Sequence, residues 1–281
     1  MDTNFTLRGG IVMPAIGYGT YKAADGEDES HIRMALETGY RLLDTASFYG
    51  NEYLVGKAMK ESGIERKDIF LTTKVWKADL GYETTLKSVE CSLKRLGTDY
   101  VDLCLIHWPK PAPFADYWKE LDRGSWRALE KLCRQGLIRA IGVSNFLPHH
   151  LEALIKEAEI LPAVNQLELH VGYMQEAAAA YCRAHGIVLQ AWSPLGRRRV
   201  MEDLSVVRMA EKYGVTAAQL LLKFLLSLDI AVIPKSSTRE RMEENLNLPD
   251  FELAWEDLSF LRCLPQSGWS GEHPDLARVP V

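Results

Sequence analysis

Residues 69–107 read "IFLTTKVWKADLGYETTLKSVECSLKRLGTDYVDLCLIH", and the order of patterns inside them decides the fold. A short apolar run rich in β-branched residues (69–74) gives way to a segment of helical period (82–96), and a second apolar run (101–107) follows. Strand, helix and strand in that order describe a crossover between parallel neighbours, because a tight turn cannot join parallel strands. Gly97, just beyond the helical segment, supplies the left-handed residue at which helices commonly stop.

The same alternation continues toward both ends of the chain. Further strand candidates lie at 15–19, 40–44, 138–143, 164–169, 187–192 and 230–234, which makes eight. Helical candidates fill the gaps at 28–38, 51–62, 116–135, 148–159, 175–185 and 238–246, and the seventh connection has room for two, at 202–212 and 216–227. Asn51 and Thr216 stand where N-caps belong, and Gly136 where a helix ends. Eight such units can close on themselves and lose their strand edges, so the expected class is α/β and the expected fold a (β/α)8 TIM barrel forming one domain over residues 1–281. "FTLRGGIVMP" (5–14) predicts a β-hairpin around Gly9 and Gly10 at the barrel bottom. The rival design, a doubly wound nucleotide-binding sheet, requires G-x-G-x-x-G; Gly17 and Gly19 have the first spacing, but Lys22 takes the last position.

Composition narrows the function. Hydrophobic residues at 47% and charged residues at 25% describe a globular protein, and a net charge of -5 argues against nucleic acid as a partner. "MDTNFTLRGG" lacks the basic start and apolar core of a secretory signal, and the most apolar stretch, "AAQLLLKFLLSLDIAVI", is broken by Lys223 and Asp229, so no membrane span is expected and a cytoplasmic location is. Cys91, Cys104, Cys133, Cys182 and Cys263 form no C-x-x-C pair and read as reduced, buried thiols, with no metal expected.

Chemistry in this fold gathers at the C-terminal ends of the strands. There "RLLDTASFYGNE" (41–52) brings Asp44 and Tyr49, the third strand brings Lys74 and the fourth His107. Acid, phenol, amine and imidazole at one rim suit the reduction of a carbonyl, in which the growing negative charge on oxygen must meet a proton. Tyr49 is the donor in this reading. Lys74 is expected to lower its pKa, Asp44 to hold Lys74 charged, and His107 to orient the substrate oxygen.

These residues resemble the aldo-keto reductases. "LLDTASFYGNE", "LTTKVW", "VDLCLIHWP", "IGVSNF", "NQLELH" and "IPKSSTRERMEEN" look like that family's signatures, in its order, across essentially the whole chain. The resemblance implies a barrel that binds NADPH without a Rossmann domain and a catalytic tetrad of Asp44, Tyr49, Lys74 and His107. It implies that Ser144, Asn145 and Gln166 hold the nicotinamide carboxamide, that Trp192 lies against the ring, and that Gly19 and Thr20 also belong to the cofactor site. In "SPLGRRR", Ser193, Leu195 and Gly196 match the segment that folds over the pyrophosphate, with Arg197 to Arg199 as further candidates. Lys235, Ser236, Ser237, Thr238 and Arg241 match the positions that grip the 2′-phosphate, with Glu244 and Asn245 at the adenine.

The substrate rim is expected to comprise Tyr21, Phe48, Trp76, Trp108 and Phe146, beside His107. Tyr21 stands where many relatives have Trp, and Trp192 where many have Tyr. The tail from residue 265 resembles the bacterial diketogluconate and methylglyoxal reductase branch, departing from it at "GWSGEHPD". Small aldehydes, ketones, dicarbonyls and keto-sugars are the expected substrates, and the family implies a monomer. Two other readings fit the same residues: a non-catalytic NADPH-binding regulator, and a Schiff-base aldolase with Lys74 as nucleophile.

Overall fold

Leu42 and Leu43 show how the fold is built. Adjacent strand residues point to opposite faces, and here Leu42 packs inside the barrel while Leu43 packs under the surrounding helices. The computed structural model describes residues 4–23, 28–110 and 115–276. The ends of the expected 1–281 domain, including tail residues 277–281, lie outside the described residues.

The chain opens with the predicted hairpin. β1 (Asn4–Thr6) pairs antiparallel with β2 (Val12–Pro14), and the turn needs positive φ at Gly9 (81°) and Gly10 (77°). Eight strands follow: β3 (Tyr18–Gly19), β4 (Leu42–Asp44), β5 (Phe70–Val75), β6 (Val101–Ile106), β7 (Ile138–Ser144), β8 (Val164–Glu168), β9 (Val188–Trp192) and β10 (Ile230–Val232). Each pairs in parallel with the next. A parallel bridge between Ile16 and Val232, with Gly17 N–H donating to Val232 O and Val232 N–H to Ala15 O at 2.8 Å each, closes the first strand onto the last. The (β/α)8 barrel is therefore complete.

Inside it, Phe70, Leu103, Leu105, Ala140, Val164 and Ala231 pack with Leu42, and the hairpin adds the buried Met13 and Leu7 to the same cluster. The hairpin is thus a floor. Around the barrel run α1 (Ser30–Thr38), α2 (Glu52–Glu61), α3 (Tyr82–Leu96), α4 (Trp118–Arg134), α5 (Pro148–Ile155), α6 (Glu176–Ala184), α7 (Leu204–Tyr213), α8 (Ala217–Leu226), α9 (Arg239–Leu246) and α10 (Trp255–Arg262). Among the described residues, no helix is long and apolar enough to cross a membrane.

Thr216 caps α8 as expected, accepting from Gln219 N–H while Gln219 reaches back to the Thr216 N–H. Asn51 does not cap α2. Its amide donates instead to Thr20 O at 2.8 Å, and its carbonyl accepts from Thr45 at 2.8 Å, which ties the loops after β3 and β4 together. The helix expected over 148–159 stops at Ile155, and α10 was not expected, since its apolar residues form only a weak stripe on one face. Cys91, on the outer side of α3, and Cys263, just past the end of α10, are exposed rather than buried, and Cys133 is only partly buried.

Gly142 in β7 marks a place where two strands leave no room for a side chain. A Cβ there would stand 2.6 Å from Val164 O and 2.8 Å from Leu105 Cδ2. Backbone cannot yield as a side-chain tip can, so Gly142→Ala is expected to destabilise the protein by about 1–3 kcal/mol and lower Tm by about 2–12 °C in thermal denaturation.

Candidate active site

Asp44 ends β4, Lys74 lies near the end of β5, and His107 follows β6 directly. Because Asp44 is in register with Thr72, Lys74 sits two residues further along the same face and reaches back over the acid. Lys74 Nζ donates to Asp44 Oδ1 at 2.5 Å and to Thr45 O at 2.9 Å, and lies 3.4 Å from Tyr49 Oη. A one-turn 3-10 helix, Ser47–Tyr49, brings the phenol there, and Gly50 in the left-handed region (φ 68°) turns the chain into α2. The second Asp44 oxygen accepts from Gln166 Nε2 at 2.7 Å, and that amide also donates to Gln190 Oε1 at 2.7 Å. A polar chain therefore crosses the barrel from β9 to β4. Gln190 carries no signal in the sequence beyond being polar in an apolar strand.

The electrostatics differ from expectation at one point. Burial, with the Asp44 carboxylate and Tyr21 adding to it, holds the Tyr49 phenol well above its usual pKa, so Lys74 does not lower it in this structure. Burial is the largest cause, and Asp44, which lies closer to Lys74 than the phenol does, adds to it. Burial lowers the pKa of Lys74 itself, against the pull of Asp44. His107 is pushed well below the usual histidine range by burial and by Lys74, so its ring is neutral. Its Nδ1 is buried with no hydrogen-bond partner among the described residues. A protonated phenol beside a fixed cation, with an unpaired imidazole nitrogen nearby, can deliver a proton to an oxygen and hold that oxygen in place.

These groups open into a cleft of about 990 Å³, a volume in the upper range of small-molecule sites. Of the expected cofactor residues, Gly19, Ser144, Asn145, Gln166, Trp192, Ser193, Leu195, Lys235, Ser236, Ser237, Arg241, Glu244 and Asn245 line it, as do Arg197 and Arg198. Asn145 holds a left-handed backbone (φ 64°) that brings its amide across to His107 O (3.0 Å) and Trp192 Nε1 (2.9 Å). Lys235 and Arg241 form no ion pair among the described residues, which leaves two cations beside two serine hydroxyls.

Other expected residues do not line the cleft. Thr20 turns away from the cleft, its hydroxyl donating to Asp44 O at 2.9 Å. Gly196 is buried under Val200, Thr238 precedes α9 outside the cleft, and Arg199 donates to Trp269 O at 3.3 Å. Gly19 does line the cleft, but its missing side chain is required by β10, since a Cβ would meet Ile233 O at 3.0 Å.

On the substrate side, Tyr21, Phe48, Trp76 and Trp108 surround His107 and Tyr49. Phe48 stacks on Trp76 at 3.9 Å, and Trp76 meets the His107 ring edge-on at 5.1 Å. Tyr21 packs against Tyr49 at 4.9 Å. Phe146 is not part of this rim: it is fully buried in the core beneath α5 and touches His150. Lys22, Met201, Ala218, Pro234 and Glu272 line the cleft without having been expected.

With that geometry in view, the aldo/keto reductase family model matches residues 15–262. The chain belongs to the aldo/keto reductase family. Among proteins of that kind, it is 44% identical to glyoxal reductase of Bacillus subtilis (strain 168) over 270 residues, 96% of this chain and 95% of the relative. It is 40% identical to methylglyoxal reductase DkgA of Escherichia coli (strain K12) over 275 residues, 97% of each. A crystal structure of a Bombyx mori aldo-keto reductase in complex with NADP superposes with a TM-score of 0.84 at 31% identity, covering 92% of this chain and 91% of that one. The resemblance seen in the sequence, including its leaning toward the bacterial reductases, thus holds. As an aldo-keto reductase the chain is an oxidoreductase.

The neutral state of His107 is directly measurable. Its pKa is lowered, so the ring stays unprotonated as pH falls through the ordinary histidine range near about 6.5. Nitrogen-15 NMR of histidine-labelled protein is expected to show His107 still as a neutral tautomer at a pH where unperturbed histidines have become protonated.

Proposed function

We propose that this aldo-keto reductase uses NADPH to reduce small aldehydes, dicarbonyls and keto-sugars to alcohols, with Tyr49 as the proton donor. The observation that carries the reading is the Tyr49 hydroxyl lying 3.4 Å from a buried, Asp44-bound ammonium in a cleft that it shares with a neutral His107.

The cofactor is NADP(H), and the residues present fit it. The unpaired Lys235 and Arg241, with Ser236 and Ser237, suit a dianionic 2′-phosphate. Ser144, Asn145 and Gln166 offer amide and hydroxyl groups to a carboxamide, Trp192 offers a flat face, and Ser193, Leu195, Arg197 and Arg198 suit the pyrophosphate. When bound, NADPH supplies the hydride that the carbonyl carbon takes up.

The chain's own residues handle the oxygen. His107 and Tyr49 bind it from the cleft wall, and the aromatic ring of Tyr21, Phe48, Trp76 and Trp108 excludes water around it, which strengthens both contacts. Tyr49 keeps its proton throughout the working pH range because burial raises its pKa. It gives that proton up only to an oxygen more basic than itself, which an alkoxide is. Lys74 then faces the phenolate left behind and stabilises it, while Asp44 keeps Lys74 charged against its own desolvation. The same contacts count against an aldolase, since the Lys74 side chain has no exposed surface and its ammonium is held by Asp44 and Thr45.

The relatives that act on glyoxal and methylglyoxal support small dicarbonyls as the substrate class. Loss of NADPH absorbance with methylglyoxal tests this, wild type beside Tyr49→Phe. That substitution is expected to slow turnover about 10²- to 10⁴-fold, roughly 3 to 5 kcal/mol, with NADPH affinity nearly intact. Full activity in the variant would refute Tyr49 as the donor, and NADPH binding with no turnover of any carbonyl would favour a regulatory binding protein.

Cofactor choice gives a second test. Arg241→Ala is expected to raise the NADPH Kd about tenfold to a hundredfold while scarcely changing that of NADH, measured by quenching of tryptophan fluorescence. An equal loss for both would remove Arg241 from the 2′-phosphate site.

A further inference from the structure

Beyond α10 the tail crosses the cleft mouth, fixed at two points. At the first, Ser270 donates through its backbone N–H (2.9 Å) and its hydroxyl (2.6 Å) to the buried Glu168 carboxylate at the end of β8. At the second, Asp275 Oδ1 accepts from Lys110 at 2.6 Å and lies 3.1 Å from His150 Nε2 and 3.2 Å from His149 Nε2. This second cluster has the residue types of a metal site but lacks the free lone pairs. Lys110 already takes Asp275 Oδ1, and His150 Nδ1 accepts the Leu147 N–H at 3.1 Å, which leaves the proton of the neutral ring on Nε2. The cluster is a fastening.

Between the two anchors hangs Glu272. Its backbone is held, the N–H donating to Ser270 Oγ at 3.2 Å and the carbonyl accepting from Trp269 Nε1 at 3.3 Å, while the residue lines the cleft. One carboxylate oxygen, Oε2, is buried and has no hydrogen-bond partner among the described residues. A carboxylate this poorly solvated keeps a little-screened charge, so Glu272 repels a ligand carboxylate that enters the cleft. Of the other charges at the cleft, Lys77 feels Glu272, Lys74 is spent on Asp44, Lys235 and Arg241 belong to the segment after β10, and Lys22, Arg197 and Arg198 line the wall, the two arginines being those assigned above to the pyrophosphate.

We propose that Glu272 sets the charge preference of the substrate, favouring carbonyl compounds whose remote end is uncharged and disfavouring those that carry a carboxylate. This rests on the reductase reading above.

A shape-matched pair of aldehydes tests it: para-formylbenzamide, which is uncharged, and para-carboxybenzaldehyde, an anion. Wild type is expected to prefer the amide in kcat/KM. Glu272→Gln should shrink that preference about tenfold, chiefly through KM, and Glu272→Lys should reverse it. Wild-type turnover with a ratio unmoved in both variants would overturn the proposal alone. Failure of wild type to reduce either aldehyde or methylglyoxal would overturn the reductase reading and this proposal with it.

Discussion

The Asp44–Lys74 pair is the constraint around which the mouth of the barrel is organised. Two opposite charges, both essentially inaccessible to water, are tolerable only when every lone pair and proton between them is met. The structure meets them from several elements at once: Thr45 O and Tyr49 from the loop after β4, Gln166 from β8, and Gln190 from β9 behind it. The phenol, the imidazole and the cleft wall are located by that same set of contacts. A change at any member reaches the others, since removing one partner leaves an uncompensated charge in the interior.

The fold was legible because its signal is repetitive. Each apolar run is short, each helical segment is long, and the count of eight leaves few architectures. What the pattern missed is what does not repeat. α10 carries too weak an amphipathic stripe to stand out, and Asn51 has the residue type of a cap but spends its side chain joining two loops.

The site was legible to the extent that it lies at strand ends, where position alone implies a shared rim. Asp44, Tyr49, Lys74 and His107 come together for that reason. Thr20, Phe146 and Arg199 stand beside correctly placed neighbours yet face elsewhere, because one residue along a strand or loop reverses a side chain. Two properties were out of reach of any reading by residue type. The phenol's pKa depends first on how deeply the folded chain buries it, and Glu272 arrives from a tail whose course is fixed by Glu168 and Lys110, more than a hundred residues away in sequence.

The hairpin floor bears on the return half of a catalytic cycle. Met13 and Leu7 fill the bottom of the barrel with hydrocarbon, and Lys74 has no exposed side-chain surface. On the proposed mechanism, a phenolate at Tyr49 therefore has no water reservoir beneath it. Its proton has to come back through the mouth, along the path by which product leaves, so that emptying the cleft and recharging the acid become one event.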